Sequence, residues 1–173
     1  MDLKGKKAVI TGANRSIGRG IAEMFARHGS DVVISYRSDK EGADSVVKNI
    51  KEQGRFAQAL YADFSNKKEV EGFFAEALAS LGQIDILVNC AAGYDRTPFL
   101  DLDANVFENL LQIGVVAPMM LTQLVAKHMI ENGNIKAAHN KIVTIYKKID
   151  GNFQKNILGL LFDNNGWNLR LYL

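Results

Sequence analysis

Ala8-Val9-Ile10-Thr11-Gly12-Ala13-Asn14-Arg15-Ser16-Ile17-Gly18 decides the fold. The run 8–11 reads as a strand, and Gly12 stops it. Apolar residues at 17, 21, 22, 25 and 26 then recur with the period of a helix, closed by Gly29. A strand that turns through glycine into a helix aims backbone N–H groups at whatever lies beyond the turn, with no side chain in the way. That arrangement suits a phosphate. It suits any tight strand-to-helix connection as well, so the stretch by itself leaves both readings open.

The same alternation continues outward. Residues 32–36 predict a second strand, 40–53 a helix ended by Gly54, 56–62 a third strand, and 70–81 a helix with Gly82 as its C-cap. Residues 84–88, apolar except for Asp85, predict a fourth strand of the kind buried on both faces. After a loop containing Pro98, a helical region covers 105–131, with a kink or break expected at Pro118. Residues 141–146 predict a fifth strand. The fold class is therefore α/β, a doubly wound parallel sheet with helices on both faces in three layers. Ligands of such sheets sit at the carboxyl ends of the strands.

Composition bounds the function. The 173 residues are 47% hydrophobic and 23% charged, ordinary values for one globular domain. A net charge of +2, with both signs mixed along the chain, gives no nucleic-acid footprint. The single cysteine, Cys90, excludes an intramolecular disulfide and fits a reducing compartment, so a cytoplasmic location is expected. The N-terminus does not read as a signal peptide. Residues 113–126 are too few to span a bilayer and include Thr122 and Gln123, so no membrane association is expected.

Three more features fall where a dinucleotide would want them. The second strand ends in Tyr36-Arg37, where a site for an unphosphorylated ribose usually carries a carboxylate. Arg37 with Arg15 suits a 2′-phosphate instead; the alternative is a solvated charge after a strand. The third strand ends in Asp63-Phe64. That carboxylate either accepts from an adenine amino group or caps the next helix. The fourth ends in Asn89-Cys90-Ala91-Ala92-Gly93, small residues that either admit a flat ligand or form a close-packed turn.

The combined spacing of Thr11-Gly12, Gly18, Asp63 and 89–93 resembles the short-chain dehydrogenase/reductase family, from about Lys4 to Tyr146. The resemblance implies a Rossmann-type NAD(P)-binding domain over 1–146, incomplete at its C-terminal side. It implies cofactor contacts from Gly12, Asn14, Arg15, Ser16, Ile17, Gly18, Tyr36, Arg37, Asp63, Phe64, Asn89 and Ala91. Asn89 would support the sheet beneath the cofactor. Tyr36-Arg37 and Arg15 look like the NADP-preferring branch, similar to 3-oxoacyl-carrier-protein reductases and glucose dehydrogenases, so NADP(H) is expected over NAD(H). One departure lies in the loop, where Ser16 replaces the family's middle glycine. A dimer through 105–131 is expected.

Family members transfer a hydride between nicotinamide and a carbonyl or alcohol carbon. By resemblance, a Tyr made acidic by a Lys four residues later moves the proton, with a Ser and a relay Asn. A phenol is a poor base near neutral pH without a cation beside it. Here Gly114 stands where the Asn belongs and Tyr146-Lys147 where the Ser pair belongs. Only Tyr36 and Lys40 have the Tyr–Lys spacing, at the adenosine end of the expected site. No catalytic residue is assigned, and no metal set either. His128 and His139 read as surface residues, Cys90 as buried filler, and the carboxylates as members of solvated helix faces. Residues 147–173 break the rhythm, with Asn at 152, 156, 164, 165 and 168, and form an atypical tail. Truncation, or a frameshift after about 146, would explain it: read one base later, the codons possible for 161–168 allow a Tyr-Ser-Thr-Thr-Thr-Ala-Gly segment. A noncatalytic NADP(H)-binding module, a partner-binding pseudoenzyme and a gene remnant are the alternatives to an active reductase.

Overall fold

A computed structural model describes residues 2–132 and the strand 142–144. The tail 147–173, and with it the frameshift reading, lies outside the described residues, as does His139. The strands are β1 (Lys7–Ile10), β2 (Asp31–Tyr36), β3 (Ala57–Tyr61), β4 (Ile86–Asn89) and β5 (Ile142–Thr144). All neighbours are parallel, in the order β3-β2-β1-β4-β5. The helices are α1 (Ser16–Arg27), α2 (Lys40–Glu52), α3 (Lys67–Leu81), α4 (Ala104–Leu111) and α5 (Ala117–Glu131). The order reverses between β1 and β4, which opens a crevice at the carboxyl ends of these two strands.

Period-two alternation divides the core. Ala8, Ile10, Val32, Ile34, Ile86 and Val88 face one way, against Ala22 and Ala26 of α1 and Val46 and Ile50 of α2. Val9, Val33 and Leu87 face the other, against Phe73 and Ala77 of α3 and Leu121, Val125 and Met129 of α5. Both faces of the central strands are covered, which is why they read as unbroken apolar runs.

Of the kink or break expected at Pro118, the break does not occur, and the irregularity lies in the turn just before it. α4 and α5 join through a π-helical turn, Gln112–Val116, and Pro118 occupies the first turn of α5. Proline has no N–H and its ring would strike the carbonyl four residues back. The wider turn, in which Ala117 N–H donates to the Gln112 carbonyl, accommodates this without ending the helix. Ala104–Glu131 thus forms one helical run long and apolar enough, by length and composition, to cross a membrane. The shorter stretch 113–126 underestimated it. One face of the run, from Ile113 to Met129, is buried in the core.

Two other expectations need correction. The carboxylates are not all on solvated helix faces: Asp31 and Asp85 are buried at the amino ends of the strands. Asp31 pairs with Lys7 and with Arg55 at 2.6 Å, and accepts from Phe56 N–H at 3.0 Å. Asp85 accepts from Lys7 N–H at 2.9 Å. His128 is half-buried rather than a surface residue. Its Nε2 accepts from Ile84 N–H at 3.4 Å and its ring lies edge-on to Phe74.

Candidate functional site

The crevice is a groove across the carboxyl ends of β1 to β4. Gly12 and Gly18 make its floor possible. Gly12 has φ +62°, and a Cβ there would lie 2.8 Å from Ala91 Cα. A Cβ on Gly18 would lie 2.7 Å from the Gly12 carbonyl oxygen. Glycine is therefore needed at the first position for both conformation and space, and at the second for close packing of α1 under the loop. Ser16 has φ +51°, and no other non-glycine among the described residues has a positive φ.

Side chains away from the loop hold it in place. Ser35 Oγ accepts from Gly12 N–H at 2.9 Å, and the Ser35 carbonyl from Ala13 N–H at 3.1 Å. Thr11 Oγ1 accepts from the N–H groups of Cys90 and Ala91, both at 2.9 Å. The first loop is thus stitched to β2 on one side and to the segment after β4 on the other. Sequence reading missed both clasps. Their signal was weak: a hydroxyl residue near the end of a buried strand.

The N-terminus of α1 faces the groove without a side-chain cap, since Arg15 supplies none. By contrast, α2, α3 and α4 are capped by Asp39, Asn66 and Asp103. The first-turn N–H groups of α1 thus lack the acceptor that a capping side chain supplies, and the helix dipole adds positive potential there. Arg15 and Arg37 are exposed at the groove, and both line it.

Of the twelve residues expected at the cofactor, eleven line this groove: Gly12, Asn14, Arg15, Ser16, Ile17, Gly18, Tyr36, Arg37, Asp63, Phe64 and Ala91. Ser35, Ser38, Ala62, Cys90, Ala92 and Ile113 line it too, so Cys90, half-buried and packed against the core, is also a wall residue of the groove. Asn89 does not line it. It is buried behind the groove, where Nδ2 donates to Thr122 Oγ1 of α5 at 3.2 Å. Asp63 is not the cap of α3, which is Asn66. Its Oδ1 accepts from Ser65 N–H at 3.0 Å. This bond holds the carboxyl below its ordinary value against the opposing effect of burial, with help from the Ser65 hydroxyl and the Arg37 charge. Tyr36 meets Tyr61 edge-on, and Lys40 is engaged by Asp44 at 2.6 Å. Of that tyrosine–lysine pair only Tyr36 lines the groove, and the lysine is already partnered. Gly114, in the π turn, has nothing within 4 Å of where a Cβ would stand. No metal-binding cluster occurs among the described residues.

The family model described as short chain dehydrogenase matches residues 6–150. An L-rhamnose 1-dehydrogenase (NADP(+)) of Thermoplasma acidophilum is 35% identical over 89% of this chain and 60% of its own length. Among solved structures, a Burkholderia cenocepacia short chain dehydrogenase in complex with NADP superposes with a TM-score of 0.72. It is 34% identical over 74% of this chain and 52% of its own. A 7 alpha-hydroxysteroid dehydrogenase complexed with NADH and 7-oxo glycochenodeoxycholic acid gives 0.74 at 36% identity, over 83% and 54%. The chain spans little more than half the length of these relatives. With a glycine loop between β1 and α1, a parallel sheet whose order reverses at that loop, and a family match over most of its length, the chain belongs to the short-chain dehydrogenase/reductase family of oxidoreductases.

Proposed function

We propose that this chain binds NADP(H) in the groove, in preference to NAD(H), and that its own residues do not move the proton that carbonyl–alcohol interconversion requires. The observation that carries the reading is the uncapped N-terminus of α1, opening into a groove flanked by Arg15 and Arg37. Backbone N–H groups there suit the pyrophosphate, which every NAD(P) form shares. The two guanidinium groups suit a 2′-phosphate. Relatives are named or solved with both forms of the cofactor, so the preference rests on Arg15 and Arg37. Tyr36, Asp63 and Phe64 line the part of the groove beside Arg37 and would hold the adenosine, and Ala91 leaves room for it beside the loop. Asn89, one layer down, would keep β4 in place through Thr122.

When bound, the nicotinamide supplies the hydride, and the protein's task is the proton. Gly114 offers no donor where the family has its relay Asn, and Lys40, outside the groove and paired with Asp44, is not placed to serve Tyr36. A noncatalytic module of this kind would sense or store the nucleotide, or act beside an intact relative.

Fluorescence titration of NADPH and NADH decides the matter. Saturable binding of NADPH, weakened about tenfold or more by Arg37→Asp with NADH binding kept, supports the reading. Failure to bind either nucleotide overturns it. NADPH oxidation with a panel of ketones tests the second half: turnover above background that Gly18→Ala abolishes would overturn the noncatalytic assignment. As a further part of the reading, α4 and α5 carry a homodimer contact on their exposed apolar side.

A further inference from the structure

We propose that Asp39 is a positioning residue for the nucleotide loop, its carboxylate latching Asn14 to the N-terminus of α2. The loop 12–18 is thereby held for the pyrophosphate that NADPH and NADH have in common. The inference rests on the reading of the groove as a dinucleotide site. Asp39 itself does not line the groove; Arg37 and Ser38 before it do.

One carboxylate does two things here. Oδ1 accepts from Gly42 N–H at 2.8 Å, which caps α2. Oδ2 accepts from Asn14 Nδ2 at 3.0 Å, across 25 residues of sequence. The charged acceptor makes the second bond stronger than one between neutral amides. Gly42 explains how the carboxylate can lie so close to the helix. A Cβ at that position would collide with it, so a residue that weakens a helix provides the seat. Asn14 is two residues before Ser16, the one non-glycine with left-handed backbone among the described residues. Such a conformation persists only where the surroundings fix it. Ser35 fixes the loop at Gly12 and Ala13, and the Asp39 latch fixes it at Asn14, next to the strained turn. The acidity of Asp39 agrees: the Gly42 N–H first, then Asn14, with the Arg15 charge behind them, hold its carboxyl below the ordinary value against a little desolvation.

The cap and the latch can be separated. Asp39→Ser keeps a good N-cap but is too short to reach Asn14 as well. Asn14→Ala removes the latch from the other side and leaves the cap intact. Both variants are expected to bind NADPH and NADH about tenfold more weakly, by the same factor for each nucleotide. The double variant should be no weaker than either single one. In nucleotide-free protein, backbone amides 13–18 should exchange faster in both variants, while the melting temperature of Asp39→Ser stays close to that of the parent. Unchanged affinity, additive losses, or a loss confined to NADPH would overturn the proposal. A parent protein that binds neither nucleotide would overturn the reading of the groove instead; unaltered exchange at 13–18 overturns the latch whether or not nucleotide binds.

Discussion

Ser16 holds left-handed backbone that a glycine would adopt without strain. A φ of +51° costs a non-glycine residue about 1 kcal/mol. Glycine would relieve that cost and lose part of the gain to the greater freedom of its unfolded chain. Ser16→Gly is therefore expected to stabilise the protein by about 0.5 kcal/mol, whereas Ser16→Val, β-branched, should destabilise it by about 1–2 kcal/mol. Urea titrations of the two variants check this, and a Ser16→Val protein as stable as the parent would contradict the strain. Gly18→Ala should do worse than either, because its Cβ meets backbone on the preceding loop. The sequence made Gly12, Arg15 and Gly18 legible because a strand, a turn and a helix lie next to one another in the chain. Thr11 and Ser35 were not legible as clasps. Their partners are 79 and 23 residues away, and only the order of the strands brings them together.

Among the elements, the π turn has a consequence beyond accommodating Pro118. In an unbroken α-helix each step of four residues rotates a side chain about 40° further round the axis. Phe107, Leu111, Val115 and Met119 would then spiral away from one another. The wider turn between α4 and α5 takes back part of that rotation, so these four half-exposed side chains follow one side of the helix. Phe99 and Leu100, more exposed still, lie just before α4. Apolar exposure in a row is what an interface looks like when its partner is absent. A second copy of the chain is the occupant proposed. Leu111→Glu combined with Val115→Glu should convert a dimer to a monomer in sedimentation velocity without lowering the melting temperature of the monomer, since neither side chain is in the core. A parent protein that sediments as a monomer at high concentration would remove the dimer. The sequence showed a helix here and a disturbance near Pro118. It could not show a π turn, because the choice between a break and a wider turn depends on whether the far side of the helix is held against the sheet. Leu121, Val125 and Met129 do hold it.

Over the whole molecule, the two ends of the sheet have opposite duties. The carboxyl ends are built from small residues and uncapped amides, an arrangement that suits binding more than stability. The amino ends carry the ion network: Asp31 with Lys7 and Arg55, and Asp85 with Lys6 at 3.6 Å. Periodicity revealed the sheet and its two covered faces, but assigned these carboxylates to solvent, because charge alone does not show that three strand ends converge on one aspartate. Burial would raise the Asp31 pKa, but the bond from Lys7 and the Phe56 N–H, with the charges of Lys7 and Arg55, outweighs it. The carboxyl titrates below its ordinary value. A depressed folded-state pKa contributes stability that is fully present above the unfolded value, near 4, and is lost as pH falls through the folded value. Unfolding free energy from Asp31 should therefore hold steady from pH 7 down to about pH 5 and decline below about pH 4. Asp31→Asn removes the charge, keeps the acceptor for Phe56 N–H, and leaves Lys7 and Arg55 without their counterion. A loss of about 1–3 kcal/mol at pH 7 is expected, shrinking toward pH 3 as the parent loses the same charge. Urea unfolding at pH 7, 5 and 3 measures it. Parallel pH profiles for parent and variant would show that the network has no part in holding the strand ends together.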